Sequence, residues 1–268
     1  MSLRFDLYID RPSWLHRLDP RTKLGMVLAG VALLLLYRNI WLIGGLLLST
    51  HAVLLTARVP WSRLRWIWRA MLPVSALVFI LWPLFYQTGD ETLISVLGLR
   101  ITLLSLVEAL AMALRIDALA FVIFILLLTT DQASLVRGLV KLGLPYAWGL
   151  TLAIALRYLP TLYGAFTTIT EAQQARGLVL GKGGFVARLR SYMPILVAMI
   201  ITALRLTDNL TIALAARGFG APVRRTYMVD LKLRPADLLV LSITAILFLT
   251  LLAARIHLGV GAHPLRLV

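Results

Sequence analysis

The chain has 268 residues, of which 60% are hydrophobic and 15% are charged, against roughly 25% charged residues in soluble domains, so the composition predicts an integral membrane protein. It contains no cysteine, which excludes disulfides and thiolate metal sites. Its net charge of +15 does not indicate nucleic-acid binding, because the Lys and Arg residues alternate with apolar runs of membrane length, as they do in the loops of membrane proteins.

Three apolar segments follow the N-terminal residues. Asp19 and Pro20 predict the start of the first helix, since Asp caps free backbone N–H groups and Pro suits the first helical position. A helix from there to Tyr37 would be about 27 Å long, close to the thickness of a bilayer core. Residues 39–57 and 70–88 contain no Asp, Glu, Lys or Arg, and they predict the second and third crossings.

The charges of the loops predict the orientation. The stretch before the third crossing carries Arg58, Arg63, Arg65 and Arg69 without an acid, and its three Trp residues are typical of a membrane interface. An acidic Gly-Asp-Glu follows the third crossing. The positive-inside rule therefore predicts that the N-terminus lies in the cytoplasm. We expect a multi-pass protein of the cell (inner) membrane.

The segment 93–130 is interrupted by charges and, at about 57 Å if wholly helical, is too long for one crossing. We expect a partly interfacial start and a fourth crossing over 111–130. Arg115 and Asp117 have two interpretations: they snorkel near the outer end of the crossing, or they mark a substrate path, because intramembrane charge is costly.

Residues 131–235 differ from the rest of the chain. They hold 13 Lys and Arg against four Asp and Glu, and five prolines break their apolar pieces. Two long helices are predicted there, the first bent at Pro160, and we expect them to pack on each other, half sunk at the membrane surface. Residues 238–254 predict a fifth crossing.

The predicted fold is therefore all-α: a polytopic membrane protein with about five transmembrane helices and a cytoplasmic-side module of long helices. Residues 1–130 contain the N-terminal segment and helices 1–4, residues 131–235 form the module, and residues 236–268 contain the last transmembrane helix and the tail. Both long helices of the module end in the same tripeptide: Ala175, Arg176, Gly177 and Ala216, Arg217, Gly218.

In each copy the Gly is expected to end a helix in left-handed geometry, and the Arg to project from its last turn. Arg before a terminating Gly is common at ordinary helix ends. Two copies that each close a long apolar helix indicate a paired use, and a guanidinium on a rigid helix end suits bidentate binding to an acceptor-lined groove of a partner.

The chain resembles the transmembrane T component of energy-coupling factor transporters, ABC-type importers of vitamins and transition-metal ions (the EcfT/CbiQ-like family). The resemblance rests on "HRLDPRTKL" at 16–24, on "RYLPTLYGAFTTITEAQQARG" at 157–177, on the second "ARG" at 216–218, and on the order of crossings and module. It covers nearly the whole chain.

The resemblance implies a non-enzymatic scaffold. Its two coupling helices would dock through Arg176 and Arg217 into two cytoplasmic ABC ATPase subunits, of A and A′ type, and its membrane part would hold a small substrate-binding (S) subunit. The resemblance further implies that this chain binds no cofactor, and that ATP and Mg are bound by the ATPase subunits. The implied partners are these subunits and the lipid bilayer, with no nucleic acid.

Enzymatic signals are weak. "GLVLGKGG" at 177–184 lacks the glycine spacing and the Ser or Thr of a phosphate-binding loop, and is better interpreted as a flexible basic turn. The four histidines have no paired spacing, so no metal site is predicted. A membrane-embedded enzyme of lipid or isoprenoid metabolism is the alternative function.

Overall fold

The computed structural model describes residues 8–9, 11–86, 92–96, 99–181, 184–220 and 231–261. Their helices and strands are α1 (Pro20–Leu36), α2 (Ile40–Thr56), α3 (Trp61–Phe85), β1 (Thr92–Val96), β2 (Leu99–Thr102), α4 (Leu103–Thr129), α5 (Gln132–Lys141), α6 (Tyr146–Ala175), α7 (Phe185–Ser191), α8 (Met193–Ala216) and α9 (Pro235–Leu258).

The chain divides into two compact units. The smaller unit has its described helices, α6 to α8, within Pro145–Asp230, and the larger unit comprises Asp6–Leu144 and Leu231–Val268. The division into 1–130, 131–235 and 236–268 concerns the side of the membrane, and it stays a prediction.

Local signals start several helices of the larger unit. The Asp19 carboxylate accepts a hydrogen bond from the Arg21 N–H and Pro20 occupies the first turn of α1, which confirms the predicted helix start. The Asn39 side chain caps α2 in the same way. Thr102 and a serine three residues later form a reciprocal capping box at the start of α4.

α4 lies at the centre of the larger unit and packs against α1, α2 and α3, while α1 also contacts α5 and α9. The core side chains come mostly from these central helices. Those with no exposed surface include Leu15, Leu34, Ile43, Leu54, Leu64, Ile67 and Phe121.

Four helical segments of the described chain are long and apolar enough to cross a membrane, as expected for an all-α polytopic membrane protein. They are α3, α4, the α7–α8 segment Phe185–Ala216, and α9. Three of them coincide with the predicted third, fourth and fifth crossings. The first two predicted crossings correspond to α1 and α2, which have 17 residues each and are about 26 Å long.

Two predicted boundaries were wrong. The helix expected from residue 70 begins at Trp61, inside the Arg- and Trp-rich stretch interpreted as a loop, and residues 87–88 lie outside the described part of the chain. The segment 93–102, expected to be an interfacial start, contains an antiparallel hairpin, and α4 begins at Leu103 rather than near residue 111. The β-branched residues of this segment favour strands, and the capping box fixes the helix start.

Candidate functional site

α6 and α8 pack on each other in the smaller unit. Apolar side chains of the two helices line a cavity of about 170 Å³ between them. The lining residues include Ile154, Tyr158 and Leu162 of α6 and Ala203, Leu206 and Leu210 of α8. The two predicted long helices thus contact each other, as expected; the described residues do not test their depth in the membrane.

The C-terminal end of α6 is closed by a tight hydrogen-bonded turn. Arg176 is the capping residue, and Gly177 has a φ of +89°, the left-handed conformation that was predicted for it. The Leu178 N–H donates to the Gln173 carbonyl at 3.0 Å, and the Gly177 N–H donates to the Gln174 carbonyl at 2.9 Å. This pair of bonds is the Schellman motif, which satisfies carbonyls that a helix end would otherwise leave free.

The end of α8 repeats this geometry bond for bond. Gly218 has a φ of +69°, and its N–H donates to the Ala215 carbonyl at 2.9 Å. The Phe219 N–H donates to the Leu214 carbonyl at 3.0 Å. The capping residues also agree, because φ and ψ are −86° and 11° at Arg176 and −90° and 11° at Arg217.

We call the segments 175–177 and 216–218 the arginine tips. All six residues are exposed, and within the part of the chain that the structure describes neither guanidinium makes a hydrogen bond or an ion pair. Arg176 follows Leu162, the cavity-lining residue of α6 nearest to it, by 14 residues, about 21 Å of helix, and Arg217 follows Leu210 by seven residues, about 10 Å. Each tip therefore presents an unpaired cation beyond the cavity between the two helices.

Lys182 and Gly183 of the basic turn lie outside the described residues. Among the described residues, no group of three or more His, Asp or Glu side chains has the arrangement of a metal site.

The structure also shows a buried polar group in the larger unit that the sequence did not predict, which we call the polar clasp: Asp19, Arg21, Lys23 and Asp237. Arg21 donates two hydrogen bonds to the Asp19 carboxylate, each at 3.1 Å. The Asp19 N–H donates to Asp237 Oδ1 at 2.7 Å, and Asp237 Oδ2 accepts a bond from the Arg234 N–H. The first turn of α1 is thereby fixed to the first turn of α9.

Lys23 and Arg21 extend the polar clasp to two backbone carbonyls. Lys23 is 2% exposed, and its Nζ donates to the Thr129 carbonyl at the end of α4, at 2.7 Å. Arg21 Nη2 donates to the Leu231 carbonyl at 3.3 Å. The charges of "DPRTK" beside a membrane-length helix, and an Asp following Pro235, were the available signals for this group.

Arg115 and Asp117 point into the larger unit. Arg115 donates to the carbonyl of Tyr37, the residue that ends α1, at 2.6 Å. Asp117 is 4% exposed and faces the Ser75 hydroxyl of α3. The snorkelling interpretation was therefore wrong for Asp117, which is buried against a neighbouring helix. Arg115 caps the C-terminal end of α1 through its bond to Tyr37. Whether the two charges mark a substrate path is not tested by these contacts.

The chain is similar to known transporter proteins over most of its length. The family profile described as cobalt transport protein (CbiQ) matches residues 11–228. The energy-coupling factor transporter transmembrane protein EcfT of Listeria innocua serovar 6a is 34% identical over 251 residues, covering 90% of this chain and 93% of that protein. The protein of the same name from Lactococcus lactis subsp. cremoris is 32% identical over 262 residues, covering 93% and 97%.

Proposed function

Because the chain belongs to the CbiQ/EcfT family of transmembrane components of energy-coupling factor transporters, we propose that it is the scaffold that joins ATP hydrolysis to uptake. Its partners would be two cytoplasmic ATPase subunits and a small membrane subunit that binds the substrate, a vitamin or a transition-metal ion. The chain would lie in the cell (inner) membrane with its N-terminus in the cytoplasm. ATP and Mg would be held by the ATPase subunits, and this chain would not act as an enzyme.

The observation that carries this proposal is the matched geometry of the arginine tips. A guanidinium offers a planar fork of donors, which suits bidentate binding to carboxylates or carbonyls in a groove. At each tip the backbone that bears the guanidinium is already ordered by the Schellman bonds, so docking costs less conformational entropy than it would on a free loop. Two equivalent tips suit two related subunits.

The helices behind the tips support transmission of movement. α6 has 30 residues and is about 45 Å long, and it packs against α8. A displacement applied at either tip would therefore move a helix pair rather than a flexible segment. We infer that closure of the ATPase subunits drives this pair.

The sides of the same helices suit the membrane-embedded partner. Large apolar side chains are exposed along both helices, in an extent that monomeric soluble proteins rarely show. They include Leu152, Leu159 and Phe166 on α6 and Leu196, Ile200, Leu204 and Ile212 on α8. Lipid and the substrate-binding subunit would cover this surface.

The test is the double variant Arg176→Glu and Arg217→Glu, reconstituted with ATPase and substrate-binding subunits. Because reversed charge at both tips opposes an acceptor-lined groove, we expect the chain to insert normally while uptake is lost and the ATPase subunits dissociate. Membrane fractionation, co-purification and transport of labelled substrate measure the three properties.

The matched control is Arg188→Glu with Arg190→Glu, which makes the same charge change on exposed arginines of α7. This control should retain both uptake and the ATPase subunits. Normal uptake by the tip variant, or equal loss in both double variants, would contradict the assignment of the tips.

A further inference from the structure

The larger unit contains an apolar cavity that the proposed function does not use. It lies between α1, α2, α4 and α9 and has a volume of about 350 Å³. Its walls include Ala29 and Gly30 of α1, Val53 of α2 and Val122 of α4. All of these residues belong to the larger unit, so the cavity is formed within a single packed body.

Three hydroxyl groups line the cavity, and each donates to a carbonyl of its own helix. Ser49 bonds to the Leu46 carbonyl at 2.7 Å, and Thr50 bonds to a carbonyl of α2 in the same way. Thr244 bonds to the Val240 carbonyl at 2.8 Å. Because these donors are already paired, the walls offer a ligand mainly hydrocarbon contact, which selects an apolar occupant.

The cavity runs along α1. From Met26 to Leu34 it follows about 12 Å of this helix. On the α9 side the lining residues Ile243 and Leu247 are 58% and 50% exposed, so the cavity opens towards the surrounding lipid.

One end of the cavity has the residues of a membrane interface. The Trp14 side chain lines it and is 44% exposed, and indole rings favour the headgroup region. Arg17 lies in the same turn, where its N–H donates to the Trp14 carbonyl at 3.2 Å, and its side chain is exposed. An exposed cation in the same turn as Trp14 is complementary to a lipid phosphate.

We propose that this cavity is a binding site for one acyl chain of an anionic phospholipid, whose headgroup lies at Trp14 and Arg17. The acyl chain fills the space between α1, α2 and α9, and the headgroup lies at the end of the cavity nearest the start of α1. The lipid is therefore a structural part of the larger unit, separate from the arginine tips.

The experiment uses the full chain, purified in detergent and mixed with equal amounts of palmitoyl-oleoyl phosphatidylglycerol and the phosphatidylcholine with the same chains. After gel filtration, bound lipid is identified by mass spectrometry. We expect the wild-type chain to retain one phosphatidylglycerol in preference to phosphatidylcholine. Ala29→Phe and Val53→Phe, which fill the cavity from α1 and from α2, should lose it.

Leu28→Phe is the matched control, because Leu28 is 67% exposed on the same helix and does not line the cavity. It should keep the lipid. The wild-type chain gives a second measurement that needs no variant: phosphatidylglycerol should raise its Tm, whereas glycerol phosphate, which has no acyl chain, should not.

Several results would overturn the proposal. The proposal is contradicted if the wild-type chain retains no lipid, or if folded Ala29→Phe or Val53→Phe retains as much lipid as the wild-type chain. It is also contradicted if glycerol phosphate raises the Tm as much as phosphatidylglycerol does. Equal retention of the two phospholipids, or an unchanged preference in Arg17→Gln, would overturn the assignment of the anionic headgroup.

Discussion

The two units of the chain differ greatly in how much of their own surface they bury. In the larger unit a continuous core surrounds α4, and a polar clasp joins α1, α4 and α9 through buried charged groups. In the smaller unit, by contrast, Gly149 is the buried residue of α6 and Ile195 that of α8. The larger unit is stabilised by its own core, whereas the helices with the arginine tips leave most of their surface exposed.

The sharpest test of this contrast compares one large-to-small substitution in each unit. Phe121→Ala removes a fully buried ring from the larger unit, and we expect it to lower the free energy of unfolding by about 3–5 kcal/mol. Leu204→Ala removes a side chain that is 60% exposed on α8, and should change it by less than about 0.5 kcal/mol. Unfolding of the purified chain in mixed detergent measures both.

Similar losses for Phe121→Ala and Leu204→Ala would show that α8 has a packed environment of its own, and would break the contrast between the units.

A smaller effect is expected when the polar clasp is opened. Lys23→Met keeps an unbranched side chain of similar length but leaves the buried Thr129 carbonyl without its donor, which should cost about 1–3 kcal/mol of stability. The same unfolding measurement applies.

Lys232→Met is the control for this change, since the Lys232 side chain is exposed and the substitution should cost less than about 0.5 kcal/mol. If Lys23→Met is no less stable than Lys232→Met, the bond from Lys23 to Thr129 contributes nothing measurable.

The smallest expected effect is local to the arginine tips. Gly177→Ala and Gly218→Ala place a Cβ at positive φ, which should cost about 1–2 kcal/mol at each helix end. The result should be faster hydrogen exchange in the last turns of α6 and α8 and reduced uptake, with the larger unit unchanged.

Gly164→Ala is the control for the tips, because Gly164 lies inside α6, its φ is not positive and no atom is near its missing Cβ. It should strengthen the helix by up to about 1 kcal/mol. Slower exchange at the tips in Gly177→Ala would mean that the left-handed turn is not what orders Arg176.

The features that sequence predicted well depend on neighbouring residues. Asp19 and Pro20 specify the start of α1 because capping acts over three residues, and Gly177 and Gly218 specify left-handed ends because the missing Cβ removes a steric cost. The role of the tips in coupling stays a proposal, since it concerns chains other than this one.

The features that sequence reasoning missed depend on distant residues or on ambiguous ones. Lys23 and Thr129 are 106 residues apart, and Asp19 and Asp237 are 218 residues apart, so only the folded packing brings them together. The hairpin was missed because a short apolar run with β-branched residues fits a helix or a strand by pattern alone. The early start of α3 was missed because its arginines were interpreted as a loop, although helices also continue into the interface.

The two arginine tips share a backbone but not the side chain that follows. Leu178 comes after the first tip and is partly buried, whereas Phe219 comes after the second and is 40% exposed. Two identical acceptors would therefore meet unequal apolar surfaces beside the same guanidinium. If the tips bind two ATPase subunits as proposed, one copy of this chain would present a different surface to each of them.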